Sequence, residues 1–173
     1  NDMLGGGSSG QLFQTLRIEK GYTYGAYSYT WGTKEKSPFT IYTSVRANAT
    51  LASLQIIDSL LTNYSKNFTE EDVKTVQNKL LKSSTRAFES LNAKLNILNE
   101  ISSNNRSLNY IEEDQKELIA MNLDDFKSII NQEINPDDMI YVVVGDGETQ
   151  QKNVDTFAGG KAVLLDINGK KLD

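Results

Sequence analysis

The sequence predicts an α+β domain: a two-layer sandwich whose mainly antiparallel sheet is covered on one face by helices. Three observations predict it. Two β-prone segments, Gly21–Trp31 and Phe39–Val45, flank a short polar stretch, which is the pattern of an antiparallel hairpin. A long block with apolar residues at helical spacing follows. Two strand-like runs, 139–144 and 161–166, then close the chain with a short helix expected between them. The order helix, hairpin, helical block, strand, helix, strand suits helices segregated to one side of a sheet. With 173 residues, no internal repeat and no low-complexity linker, residues 1–173 are expected to form a single domain able to bury a core.

The elements follow in order. The opening Asn1-Asp2-Met3-Leu4-Gly5-Gly6-Gly7-Ser8-Ser9-Gly10 leads into Leu12, Phe13, Leu16 and Ile18, which continue in helical fashion. Ser8 or Ser9 is the expected N-cap, and Gly21 the expected stop. Gly21 to Trp31 is rich in aromatic and β-branched residues and reads as a strand. Strict alternation puts Tyr22, Tyr24, Ala26 and Ser28 on one face. Gly32 to Ser37 turns the chain, and Phe39, Ile41 and Val45 form the inward set of the second strand. Leu51, Leu54, Ile57, Leu61 and Tyr64 mark the first long helix. Thr69-Glu70-Glu71-Asp72 resembles a capping box ahead of Val73, Val76 and Leu80. Leu91, Leu95 and Leu98 extend an apolar stripe to a polar break over 102–107. Tyr110 to Ala120 is a further helix, and Asn122-Leu123-Asp124-Asp125 caps another with Phe126, Ile129 and Ile130 inward. Asn135-Pro136 stops it. Met139–Val144 reads as a strand buried on both faces, 148–157 as a short helix, and 161–166 as a last strand ending in an Asn168-Gly169 turn.

Composition narrows the chemistry. The chain has 18 Lys+Arg against 23 Asp+Glu, a formal net charge of −5, and contains neither Cys nor His. Without Cys there is no disulfide framework, thiol nucleophile or Cys-type zinc site. Without His there is no Ser-His-Asp triad, no His-ligated zinc and no histidine acid/base work. Aspartic, metal-carboxylate and Lys/Tyr chemistry survive. Basic residues are scattered among carboxylates, which disfavours a nucleic-acid partner. The longest apolar runs are of strand length, so no membrane-spanning helix is expected. No charged segment followed by an apolar one occurs, so no signal peptide is expected.

Three groups could carry chemistry. The glycine run before a helix could cradle phosphate on helix amides. It lacks the Gly-Lys-Ser/Thr ending and the Gly-x-Gly-x-x-Gly frame, so it reads as a turn or a site of close backbone packing. The carboxylates Glu70, Glu71, Asp72, Asp124 and Asp125 fit helix starts, and no EF-hand spacing occurs. Arg17, late in the first helix, and Tyr24, on the strand after the Gly21 reversal, could converge. A guanidinium and a phenol together can hydrogen-bond a peptide carbonyl or a developing oxyanion. The alternative is an Arg that satisfies helix-end carbonyls beside a packed strand Tyr.

Leu4-Gly5-Gly6-Gly7-Ser8-Ser9, Leu12-Phe13, Leu16-Arg17 and Gly21-Tyr22-Thr23-Tyr24-Gly25-Ala26-Tyr27-Ser28 together resemble the pitrilysin/insulysin-type zinc peptidases. These are the inverzincins, whose catalytic domain carries H-x-x-E-H. The chain is most similar to the non-catalytic C-terminal domain of bacterial members related to mitochondrial processing peptidase. Later landmarks keep the family order: Thr69-Glu70-Glu71-Asp72, Met121 to Asp125, Asn135-Pro136-Asp137, Val144-Gly145-Asp146 and Val163 to Asp166. Gln11 stands where the family often has Arg, Gly10 replaces a frequent Ser, and Ile18-Glu19-Lys20 departs from its charge pattern.

The resemblance implies two similar α+β halves closing around an extended peptide. Zinc, its His ligands and the glutamate base lie in the other half, in the same chain or a partner. The chain would thus belong to a zinc metalloendopeptidase while holding no active site or metal of its own. It also implies that Arg17 and Tyr24 contact the peptide substrate. The family domain opens with a strand ahead of Leu4-Gly5-Gly6-Gly7, so the chain is expected to be a piece of a longer protein. Its sheet would then have an exposed edge that favours pairing with a second copy. Bacterial relatives suggest a periplasmic or envelope location. The competing expectation is a catalytically inactive family homologue acting purely as an assembly subunit.

Overall fold

The structure, a computed structural model, describes residues 1–30 and 37–172. Trp31 and residues 32–36 of the expected polar turn lie outside the described residues. The chain divides into two compact units, one built on 1–30, 39–64 and 134–172, the other on 65–133.

In the first unit, α1 (Asp2–Gly5) and α2 (Gln11–Phe13) pack along β1 (Thr23–Tyr29), which pairs antiparallel with β2 (Thr40–Val45). The α2 helix runs on as a π-helical turn, Gln14–Glu19, with Lys20 N–H donating to Thr15 O at 3.0 Å. Sequence periodicity gave no sign of this wider i→i−5 turn, which is rare in proteins and often lies at functional sites. The N-cap of α2 is Gly10 and no side chain caps it, which corrects the expectation of Ser8 or Ser9. Gly21 stops the helix with φ +62°, a left-handed conformation suited to glycine. Leu4, Leu12, Leu16 and Ala26 are fully buried, whereas Ile18 is exposed.

Helix α3 (Thr50–Asn67) buries Leu54, Ile57, Leu61 and Tyr64 as its spacing predicts. In the second unit the α4 helix (Glu70–Thr85) starts with a full capping box. Thr69 Oγ1 accepts from Asp72 N–H, and Asp72 Oδ2 accepts from Thr69 N–H at 2.8 Å. Val73 and Val76 are buried, and Phe68 stacks on Phe126 at 5.7 Å between centroids. The α5 helix (Leu91–Asn104) ends at Asn105 in the left-handed region, φ 51°. Gln77 Nε2 donates to Leu118 O and Met121 O, tying α4 to the C-terminal end of α6 (Tyr110–Ala120). Asn122 caps α7 (Leu123–Glu133) by accepting from Asp124 and Asp125 N–H, and Ile130 is buried. Ile129, expected inward, is exposed, as are Leu91, Leu95 and Leu98 of the apolar stripe. Apolar spacing defines a helix face; whether another element meets that face is a tertiary matter.

The α+β class holds, but among the described residues the sheet has two strands. Met139–Val144 makes no ladder, and Ile140, Val142 and Val144 are exposed. Its anchor is Tyr141, whose phenol donates to Asp58 Oδ1 at 3.1 Å and whose ring meets Phe157 edge-on at 4.9 Å. The last run forms a single bridge, Leu165 to Lys171, around the Asn168-Gly169 turn. Both runs have β-propensity, but a strand also needs a neighbour to receive its hydrogen bonds. Between them α8 (Gly147–Phe157) forms as expected, capped by Asp146 Oδ1 on Glu148 N–H.

Candidate functional site

The reversal at Gly21 brings the end of the π-helical turn back onto the start of β1. Arg17 Nη1 donates to Thr23 O at 3.2 Å, and its guanidinium carbon sits 4.9 Å from the centroid of the Tyr24 ring. The two expected site residues are therefore together. The cation lies over the electron-rich ring face, an arrangement worth about 0.5–1 kcal/mol at an exposed site. Tyr24 is 90% exposed, and within the described residues its phenol makes no hydrogen bond. A guanidinium has five N–H donors, and among the described residues Arg17 uses one of them, to Thr23 O. The pair thus offers several donors to an incoming carbonyl. One turn earlier on the same helix, Phe13 meets Tyr27 at 5.8 Å between ring centroids. Tyr27 stands directly opposite Tyr42 of β2, and both are exposed.

Strict alternation had placed Tyr24 on the face of Ala26 and Ser28. The register shows otherwise. Thr23 pairs with Val45 and Ala26 with Thr43, so Tyr24 and Gly25 together face Ser44 alone. This is a β-bulge, one extra residue in β1. It puts Thr23, at 5% exposure, on the buried side with Ala26 and Ser28, and turns Tyr24 outward. Thr23 and Thr43, which hold the bulge, were missed from the sequence. The isolated Gly25 inside a strand pattern was the available signal for a bulge.

The glycine run serves packing. A Cβ added at Gly5 would lie 2.5 Å from Ser28 N and 2.8 Å from Leu12 Cδ1; one at Gly10 would lie 2.9 Å from Gly5 Cα. These glycines let α1 and α2 approach each other and β1, the close-packing reading rather than the phosphate one. The acidic clusters at 70–72 and 124–125 are engaged as helix starts. Zinc does not fit this chain. His and Cys are absent from it, and among the described residues no three acidic side chains gather to hold an ion. No helix among the described residues is long and apolar enough to cross a membrane. Away from the pair, burial, with the Asp58 charge and hydrogen bond adding to it, pushes the Tyr141 phenol up to about 12.

Comparison with known proteins agrees with the N-terminal motif. Residues 1–80 match the family described as the peptidase M16 inactive domain. An uncharacterized zinc protease of Bacillus subtilis, YmxG, is 29% identical over 96 residues, which cover 55% of this chain and 24% of that protein. Among solved structures, a peptidase M16 inactive domain from Pseudomonas fluorescens matches at a TM-score of 0.70 and 27% identity, covering 79% of this chain and 33% of that one. A protease from Helicobacter pylori shares the fold at a TM-score of 0.68 and 18% identity, over 78% of this chain and 33% of its own. The chain therefore spans about a quarter of the curated relative and about a third of each solved chain. The resemblance drawn from the motif holds: residues 1–80 match the non-catalytic domain of a peptidase family.

Proposed function

We propose that this chain is the peptide-holding, non-catalytic half of a zinc-dependent metallopeptidase. Zinc, its ligands and the general base belong to a complementary half, in the same polypeptide or a partner. Extended peptide lies between the two. Arg17 and Tyr24 donate hydrogen bonds to a peptide carbonyl near the scissile bond, and those bonds strengthen as negative charge develops on that oxygen. The observation that carries this reading is the convergence of an exposed phenol and a guanidinium with spare donors at one helix–strand reversal. The reading leaves room for a second copy of the chain to pair with a sheet edge that is open among the described residues.

The test is kinetic. In the complete peptidase, Arg17→Ala or Tyr24→Phe should lower kcat/KM by about tenfold or more while zinc content stays unchanged; loss of one such donor typically costs about 10²–10³ in kcat. Undiminished peptide turnover in both variants refutes the role. The competing reading, a purely structural assembly subunit, predicts that neither the flanking reading frame nor a neighbouring gene encodes H-x-x-E-H.

A further inference from the structure

We infer that Thr23 and Thr43 are positioning residues whose hydroxyls lock the β-bulge that turns Tyr24 out of the sheet and beneath Arg17. The inference rests on the reading of Arg17 and Tyr24 as a peptide contact, and it deepens that reading.

The argument begins with the face of the strand. Ala26 is fully buried. In an unbroken strand Tyr24 would point to the same side as Ala26. Its exposure of 90% therefore requires the extra residue between Thr23 and Ala26. A bulge disrupts the ladder locally, and here the disruption falls at Tyr24, Gly25 and Ser44, between the Thr23–Val45 and Ala26–Thr43 pairs, where backbone groups turn to side chains.

The two threonines supply the partners. Gly25 N–H donates to Thr23 Oγ1 at 3.0 Å. Thr23 Oγ1 lies 2.7 Å from Ser44 O and 2.8 Å from Gly25 O. Thr43 Oγ1 lies 3.0 Å from Gly25 O and 3.1 Å from Thr23 Oγ1. Each hydroxyl has one proton. A single assignment uses each proton once and satisfies all three backbone groups: Thr23 donates to Ser44 O, Thr43 donates to Gly25 O, and Gly25 N–H donates to Thr23. Thr23 is buried and Gly25 half-buried, so the two hydroxyls take the place of water as partners here and favour the bulged register. Gly25 contributes space. A Cβ there would sit 2.7 Å from Tyr27 Cε2, so the glycine lets the Tyr27 ring lie back over the bulged strand.

The experiment is a double-mutant cycle with a structural readout. In the complete peptidase, Thr23→Val should lower kcat/KM by about tenfold when residue 24 is Tyr and by less than about twofold in a Tyr24→Ala background. Thr23→Ser, which restores the hydroxyl, should recover the activity. Equal losses in the two backgrounds overturn the inference. In parallel, NMR follows the upfield ring-current shift that Tyr24 imposes on the Arg17 side chain. Thr23→Val should abolish it and Thr23→Ser should keep it. A folded Thr23→Val protein that retains the shift overturns the inference whatever its activity. Should Thr23→Val fail to fold, Thr43→Val, which removes only the bond to Gly25 O, decides by the same two readouts. If Tyr24→Ala leaves turnover intact while the NMR shifts change as expected, the peptide-contact reading fails and the threonine lock stands.

Discussion

Replacing Gly5 by alanine tests whether the glycine run exists for packing. The helix itself would gain from the change, since alanine is favoured over glycine by up to about 1 kcal/mol in a helix interior. Gly5 closes the four-residue α1, so that gain is at its smallest. The added methyl would meet Ser28 N at 2.5 Å, Leu12 Cδ1 at 2.8 Å and the Ser28 hydroxyl. Ordinary non-bonded contact needs about 3.5 Å, so α1 must move away from β1 by about 1 Å or Leu12 must leave its buried rotamer. Part of the obstacle is backbone and cannot rotate aside. Overpacking of this kind costs about 1–3 kcal/mol, more than the helix gains. At about 2–4 °C per kcal/mol for a chain of this size, calorimetry should show Tm lower by roughly 2–12 °C. Gly7 supplies the control: no atom lies within 4 Å of a Cβ placed there, so Gly7→Ala should stay within about 0.5 kcal/mol of the parent. A Gly5→Ala protein as stable as the parent, or Gly5 and Gly7 variants equally affected, would refute the packing account.

Two further outcomes concern stability. Tyr141→Phe removes the bond to Asp58 and should cost about 1 kcal/mol in urea unfolding. Its pH signature has a definite sign. The folded-state pKa is raised to about 12 from an ordinary value near 10, so this group's contribution is complete below about pH 10 and declines as pH rises toward 12. Urea midpoints of the parent should show that alkaline decline, and Tyr141→Phe should lack it; identical profiles would remove Tyr141 as the cause. Thr69→Ala should destabilise by about 1 kcal/mol through loss of the α4 cap, with Thr69→Ser near parental, measured by circular dichroism against denaturant. A neutral Thr69→Ala would mean that α4 does not depend on its capping box.

What could be read from the sequence was local. The helix stop at Gly21, the capping box at Thr69 and Asp72, the Asn122 cap and the helical spacing of Leu54, Ile57 and Leu61 each depend on residues a few positions apart, and each stands in the structure. The juxtaposition of Arg17 and Tyr24 belongs to this class, because a helix end and the strand after it are joined by one short reversal. The absence of His and Cys likewise excluded whole chemistries before any fold was known.

What only the tertiary structure decided was which side each residue faces and what covers it. Tyr24 points outward because hydroxyls of Thr23 and Thr43, about twenty positions apart, satisfy a broken ladder; alternation within one strand cannot register a bond to its neighbour. Met139–Val144 has the composition of a central strand, yet it forms no ladder and leaves Ile140 and Val144 exposed. Leu91, Leu95 and Leu98 make an apolar face that remains exposed. Propensity and periodicity are properties of a segment, whereas burial and pairing are properties of two segments brought together. The second can be settled only by the partner's backbone and side chains.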